Sequence, residues 1–113
     1  MALIEIRPLT AEWLRAVLDY DPKTGLFHWR IDRGGRKARI GALAGSFDAT
    51  GYIQIMIDGK NYKAHRLAWL YVTGNWPIGD IDHLNGERAN NRWSNLREAT
   101  KSINQQNPQR GSL

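Results

Sequence analysis

The stretch GYIQIMIDGKNYKAHRL, residues 51–67, limits the possible folds more than any other. Ile53, Ile55 and Ile57 alternate with Gln54 and Met56, the period of two that a strand with one buried face requires. Asp58-Gly59 is a turn pair suited to a two-residue hairpin loop, and Asn61-Tyr62-Lys63 supplies the returning strand. The spacing then lengthens. In HRLAWLYVTG, Leu67, Leu70 and Tyr71 share one helical face, and Gly74 closes the helix. The pattern predicts an α+β chain: a small antiparallel hairpin sheet accompanied by helices.

Upstream, LTAEWLRAVLDYDPKTG reads as a helix with marked ends. Thr10 is placed to cap it, Glu12 sits in the favourable first turn, and Leu14, Val17 and Leu18 follow helical spacing. The DPKTG turn, Asp21 to Gly25, stops it. LFHWRI, Leu26 to Ile31, reads as a short strand on which His28 has a surface or packing role. Arg33, Arg36, Lys37 and Arg39 then place four positive charges in seven residues around two glycines, as expected of an exposed basic loop.

Charge narrows the choice of partner. The 113 residues carry a formal net charge of +5, which favours nucleic acid or an acidic membrane surface, against the plainer alternative of a basic protein with no anionic partner. The absence of Cys excludes disulfides and thiolate zinc sites. No apolar run approaches the ~20 residues needed to span a bilayer. The start MALIEIRPLT lacks a signal peptide's basic and long apolar regions, so a cytoplasmic location is expected.

The stretch DIDHLNGERANNRWSNLREATKSINQQN, Asp80 to Asn107, holds six Asn and an Asp-His pair. It reads as a short strand around Ile81, a turn at Asn85-Gly86, a second short strand in RWSNLREAT, and a last helix capped by Thr100 and ended by Pro108. Asp82 offers a carboxylate oxygen and Asn104, 22 residues later, an amide oxygen. Oxygen donors suit a hard cation such as Mg²⁺, and a neighbouring His83 is the side chain able to take a proton from water near neutral pH. On spacing alone, a polar surface loop and a hydrolytic site both remain open.

IDHLNG followed by NNRWSNLREATKSIN resembles the motif of the HNH endonucleases, in the phage and homing-endonuclease branch where Asp replaces the first His. The upstream GYIQIMIDGKNYKAHRLAW is similar to the segment that precedes the motif there, so the resemblance covers about half the chain, Gly51 to Asn107. It implies a C-terminal ββα-metal finger at 79–107, a scaffold and DNA-binding region at 1–78 and a short tail at 108–113, within one compact domain. Asp82 then matches the first metal ligand, His83 the general base, Asn95 the central Asn that anchors the His-bearing loop, and Asn104 the last ligand. Asn104 stands where many relatives carry His, which suits Mg²⁺ or Mn²⁺ better than Zn²⁺. The implied activity is hydrolysis of DNA, double-stranded by expectation, as a nick or a double-strand cut that leaves 5′-phosphate and 3′-hydroxyl ends. A monomer and a homodimer both fit. Arg88, Arg92, Arg97 and Lys101 surround the expected site, and with Arg33, Arg36, Lys37 and Arg39 they are the expected phosphate contacts.

Plainer readings stand beside these. His65 is expected to hydrogen-bond in the core between hairpin and finger rather than touch DNA. Asn85, Asn90 and Asn91 read as turn residues. Trp93 is the one Trp expected to be exposed enough to stack on a base. Gln54, Lys60 and Lys63 either face a DNA groove, or the hairpin packs on the N-terminal helix. Two other functions compete with the nuclease: a DNA-binding module with a degenerate finger, and a structural or partner-binding protein whose charge is incidental.

Overall fold

The computed structural model of the chain describes residues 8–32 and 39–99. Arg33, Arg36, Lys37, Lys101 and Asn104 lie outside the described residues, as does the expected last helix with its Thr100 cap.

Helix α1 spans Ala11–Val17. Thr10 caps it as its sequence position implies, its hydroxyl accepting from the Trp13 amide at 3.1 Å. The helix is shorter than predicted. At Leu18 the burial period changes to two, because strand β1 (Leu18–Asp21) pairs antiparallel with β2 (Leu26–Trp29) in the register Leu18↔Trp29 to Asp21↔Leu26. Val17 and Leu18 are both buried, so local spacing fitted helix and strand alike; the partner strand decided between them.

The predicted hairpin is present. Strands β4 (Ile53–Ile57) and β5 (Lys60–Lys63) pair in the register Gln54↔Lys63 to Ile57↔Lys60, with the two-residue segment β3 (Ser46–Phe47) on the other edge of β4. Asp58 and Gly59 both have positive φ, at 51° and 81°, as this tight turn requires. The hairpin leads directly into α2 (Ala64–Thr73), which Gly74 ends in the left-handed conformation. Helix α2 packs on α1, β4 and β5.

Leu14, Val17, Leu18, Phe27, Ile55, Ile57, Leu67 and Leu70 fill the core. Tyr20, Phe27 and Tyr71 add an aromatic cluster with ring centroids 4.8–6.3 Å apart. Trp13 donates its indole N–H to Asp58 at 2.8 Å, tying α1 to the hairpin turn. The last described elements are β6 (Asp80–His83), a 3₁₀ turn (Trp93–Asn95) and β7 (Leu96–Ala99), with β6 and β7 antiparallel. Buried Ile81 and Leu96 hold this pair on the same core. Among the described residues no helix is long and apolar enough to cross a membrane.

Candidate active site

Strand β6 presents Asp82 and His83 on successive residues, which in a strand face opposite sides. Asp82 stands opposite Arg97 of β7 in the ladder, and the two side chains form an ion pair at 3.3 Å. Both are well exposed, so the pair contributes little to stability, on the order of 0–1 kcal/mol. Its effect is on placement, since it holds one carboxylate oxygen of Asp82 beside a cation.

His83 is held differently. It is half-buried, and its Nε2 lies 2.8 Å from Oδ1 of Asn91. An amide oxygen only accepts, so Nε2 carries the proton and Nδ1 of the neutral ring keeps a free lone pair. Asn91 is the site residue that sequence reasoning missed. Read there as a turn residue, it is 2% exposed. Its main-chain carbonyl accepts the buried Tyr20 hydroxyl at 2.6 Å. Burial pushes the Tyr20 phenol up, with the Asp21 carboxylate adding to the shift, so this hydroxyl is a proton donor at all working pH values. Two adjacent Asn behave differently here: Asn90 caps its own turn through Oδ1 to the Arg92 amide at 3.3 Å, while Asn91 turns inward. The available signal was weak, a second amide in the loop that must return to β7.

Asn95, also buried, ties down the loop after His83. Its Oδ1 accepts from the Asn85 amide at 3.0 Å, and its Nδ2 donates to the Asn85 side chain at 3.0 Å and to the Asn90 carbonyl at 2.8 Å. Its own carbonyl accepts from the Leu84 amide at 2.8 Å. Both ends of residues 85–90 are thereby stitched to one side chain. Asn85 in turn accepts from the Glu87 amide at 2.9 Å.

The β1–β2 turn buttresses the same loop. The Trp93 amide donates to the Pro22 carbonyl at 3.0 Å, and Arg92 Nε to the Lys23 carbonyl at 3.0 Å. Gly25, with φ of +78°, makes the approach possible: a Cβ there would fall 2.4 Å from both the Asn91 carbonyl carbon and the Arg92 nitrogen.

Two of the expected phosphate contacts line one open cleft of about 600 Å³, where Arg88 and Arg92 meet Thr24, Gly51, Gly86 and Asn90. Arg88 also donates to the Thr50 carbonyl at 2.6 Å and lies over the Tyr52 ring, 5.3 Å from its centroid. Arg97 is at the ladder with Asp82, and exposed Arg39 lies in the turn that hydrogen-bonds to β2.

Three expectations change. His65 is buried as expected, but its Nδ1 has no hydrogen-bond partner among the described residues; its ring packs on His83 and Tyr52 instead. Trp93 packs tilted against Trp69, with centroids 5.0 Å apart, so it belongs to the packing rather than to an open platform. Lys63 turns to Asp48 instead of standing free for a DNA groove.

The donor chemistry fits a hard cation only in part within the described residues, where no group of three or more acidic or imidazole side chains converges. Asp82 supplies a carboxylate that Mg²⁺ or Mn²⁺ would accept.

Residues 62–106 match the family model described as HNH endonuclease. A solved structure described as "DNA binding and cleavage by the HNH homing endonuclease I-HmuI" is similar to the chain, with a TM-score of 0.59 and 25% sequence identity over 93% of this chain. The match covers 59% of that chain, so the present sequence spans less than two thirds of its length. No curated protein matches the sequence.

Proposed function

We propose that this chain, a member of the HNH endonuclease family through residues 62–106, is a metal-dependent DNA endonuclease with His83 as its general base. The observation that carries the reading is the 2.8 Å contact from His83 Nε2 to Asn91 Oδ1, which leaves Nδ1 of a half-buried imidazole as the proton acceptor, on the strand residue next to Asp82. Water is the nucleophile. Its proton passes to His83 Nδ1 as its oxygen bonds to phosphorus, and the 3′-oxygen leaves with the bonding pair. Asn91 stabilises the imidazolium that results, since a charged N–H is the stronger donor. Asn95 keeps the His-bearing loop in place.

Asp82 would hold the metal, with Asn104 expected as its second ligand. When bound, a divalent ion stabilises charge on the phosphoanion, worth several kcal/mol. Arg88 and Arg92 line the cleft and would take backbone phosphates, which supply most non-specific affinity. The proposed substrate is double-stranded DNA.

The test is supercoiled plasmid incubated with Mg²⁺, Mn²⁺ and Zn²⁺, wild type against His83→Ala. Nicked or linear product is expected with Mg²⁺ or Mn²⁺ and not with the variant. Full activity in His83→Ala would sink the base assignment. Salt-dependent DNA binding without cleavage under any metal would instead make the chain a non-catalytic DNA-binding module.

A further inference from the structure

A hydrogen bond at Nε2 leaves one degree of freedom of the His83 ring loosely held. Nε2 lies nearer the Cβ–Cγ axis than Nδ1, so rotation about that bond moves it less. Nδ1 lies farther off the axis and moves more. This torsion is intrinsically broad for a histidine. The Asn91 contact therefore selects the tautomer and fixes the position of Nδ1 only in part. Something must bear on the faces or edge of the ring.

Two rings do. His65, second residue of α2, sits T-shaped to His83 with centroids 5.0 Å apart and an interplanar angle of 67°. Tyr52 lies 5.9 Å from His83 and 5.2 Å from His65, so the three rings are mutually in contact. Each supporting ring is itself fixed. His65 is 8% exposed at the buried start of a helix. Tyr52 ends a loop knotted by Asp48, whose carboxylate accepts from the Thr50 amide at 2.8 Å, the Thr50 hydroxyl at 2.7 Å, the Tyr52 amide at 3.0 Å and Lys63. Lys63 and Arg88 lie over the Tyr52 ring at 5.5 and 5.3 Å. His65 offers the site a ring rather than a hydrogen bond, since its Nδ1 is unpartnered among the described residues.

We propose that His65, backed by Tyr52, is a positioning residue for the general base: the ring contact fixes the side-chain rotation of His83 and so the place of Nδ1. The inference rests on the endonuclease reading for its consequence in rate. Its structural half stands apart from that reading.

The experiment compares His65→Ala, which removes the ring, with His65→Phe, which keeps a ring and loses both nitrogens. Nuclear Overhauser spectra at pH 8, without metal or DNA, read the His83 ring rotation from the contacts of its two carbon-bound ring protons with Tyr52 and Asn91. Single-turnover cleavage and DNA binding in EDTA read rate and affinity. His65→Ala should spread those contacts over more than one ring rotation and slow cleavage at least tenfold with less than twofold change in binding. His65→Phe should restore the single ring rotation and most of the lost rate. An unchanged His83 ring rotation in folded His65→Ala overturns the proposal, as does a His65→Phe enzyme as slow as His65→Ala, which would assign the role to a nitrogen. Should His65→Ala not fold, His65→Val removes the ring with a smaller cavity and is read in the same way. If the wild type cuts DNA under no metal, the endonuclease reading fails while the spectra still decide the clamp.

Discussion

The hydroxyl of Tyr20, the third strand residue after α1, donates to the main-chain carbonyl of Asn91 at 2.6 Å across 71 residues of sequence. It joins the N-terminal hairpin to the residue that holds His83. Tyr20→Phe leaves that buried carbonyl unpaired, which costs about 1–3 kcal/mol. Urea denaturation should show this loss, and cleavage should slow in the fraction that remains folded. A variant as stable as the wild type would remove the brace.

Gly25→Ala tests the same junction from the other side. The new methyl would meet main-chain atoms at 2.4 Å on a residue whose φ is +78°, so relief requires the turn to leave Asn91. A loss of more than about 1 kcal/mol is expected, from the rule that side chains forced into incompatible backbone are destabilising. Thermal melting checks it.

Asn91→Ala should lower the single-turnover rate by about tenfold to a hundredfold, short of the whole 10²–10⁴-fold that general-base catalysis contributes. DNA affinity should hold. Asn91→Asp keeps an acceptor for the His83 N–H and should be the faster of the two variants. The reverse order would show that acceptance at Nε2 is not what Asn91 does.

Arg97→Ala removes the cation paired to Asp82. Stability should change by less than about 1 kcal/mol, as for exposed ion pairs. The slope of log K against log salt should fall by about one unit if Arg97 contacts a phosphate. Mn²⁺ should bind Asp82 more tightly once the competing guanidinium is gone. Calorimetry with Mn²⁺ alone decides that last point, and weaker binding would argue that Arg97 orients the carboxylate rather than competing for it.

Acid stability follows from His65. Burial, then the neighbouring His83, pushes the imidazole down to about 4. Above the ordinary histidine range neither folded nor unfolded state is charged there, so His65 contributes nothing to pH dependence. As pH falls below about 6.5 the unfolded chain protonates first, and stability drops until the folded group titrates near 4. His65→Phe should flatten that slope. Asp48 acts in the same direction at lower pH: hydrogen bonds from Lys63 and Thr50 hold its carboxyl well below the usual carboxylate range, and that stabilisation is lost as acid protonates it. Urea midpoints from pH 8 to about pH 2 separate the two, since only the His65 part disappears in the variant.

The elements legible in advance were those settled by neighbours in sequence. The alternating isoleucines with Asp58-Gly59 gave a hairpin, and Gly74 ended α2, because both depend on backbone preferences a few residues long. Thr10 capped α1 for the same reason. The end of α1 was ambiguous, since Leu14, Val17 and Leu18 suit a helix while Leu18 and Tyr20 suit a strand.

Within the candidate site, the motif alone drew attention to Asp82, His83 and Asn95, while the burial of Asn91 and the ring contact of His65 were hidden. No periodicity or turn preference reports either one. By itself the sequence determined which short elements form and which residues are chemically able to act, because those follow from local backbone energetics and side-chain type. Only the tertiary structure decided that Asn91 turns inward beneath Tyr20 and that His65 meets His83. Those contacts join segments remote in the chain, and burial leaves each group few places to go.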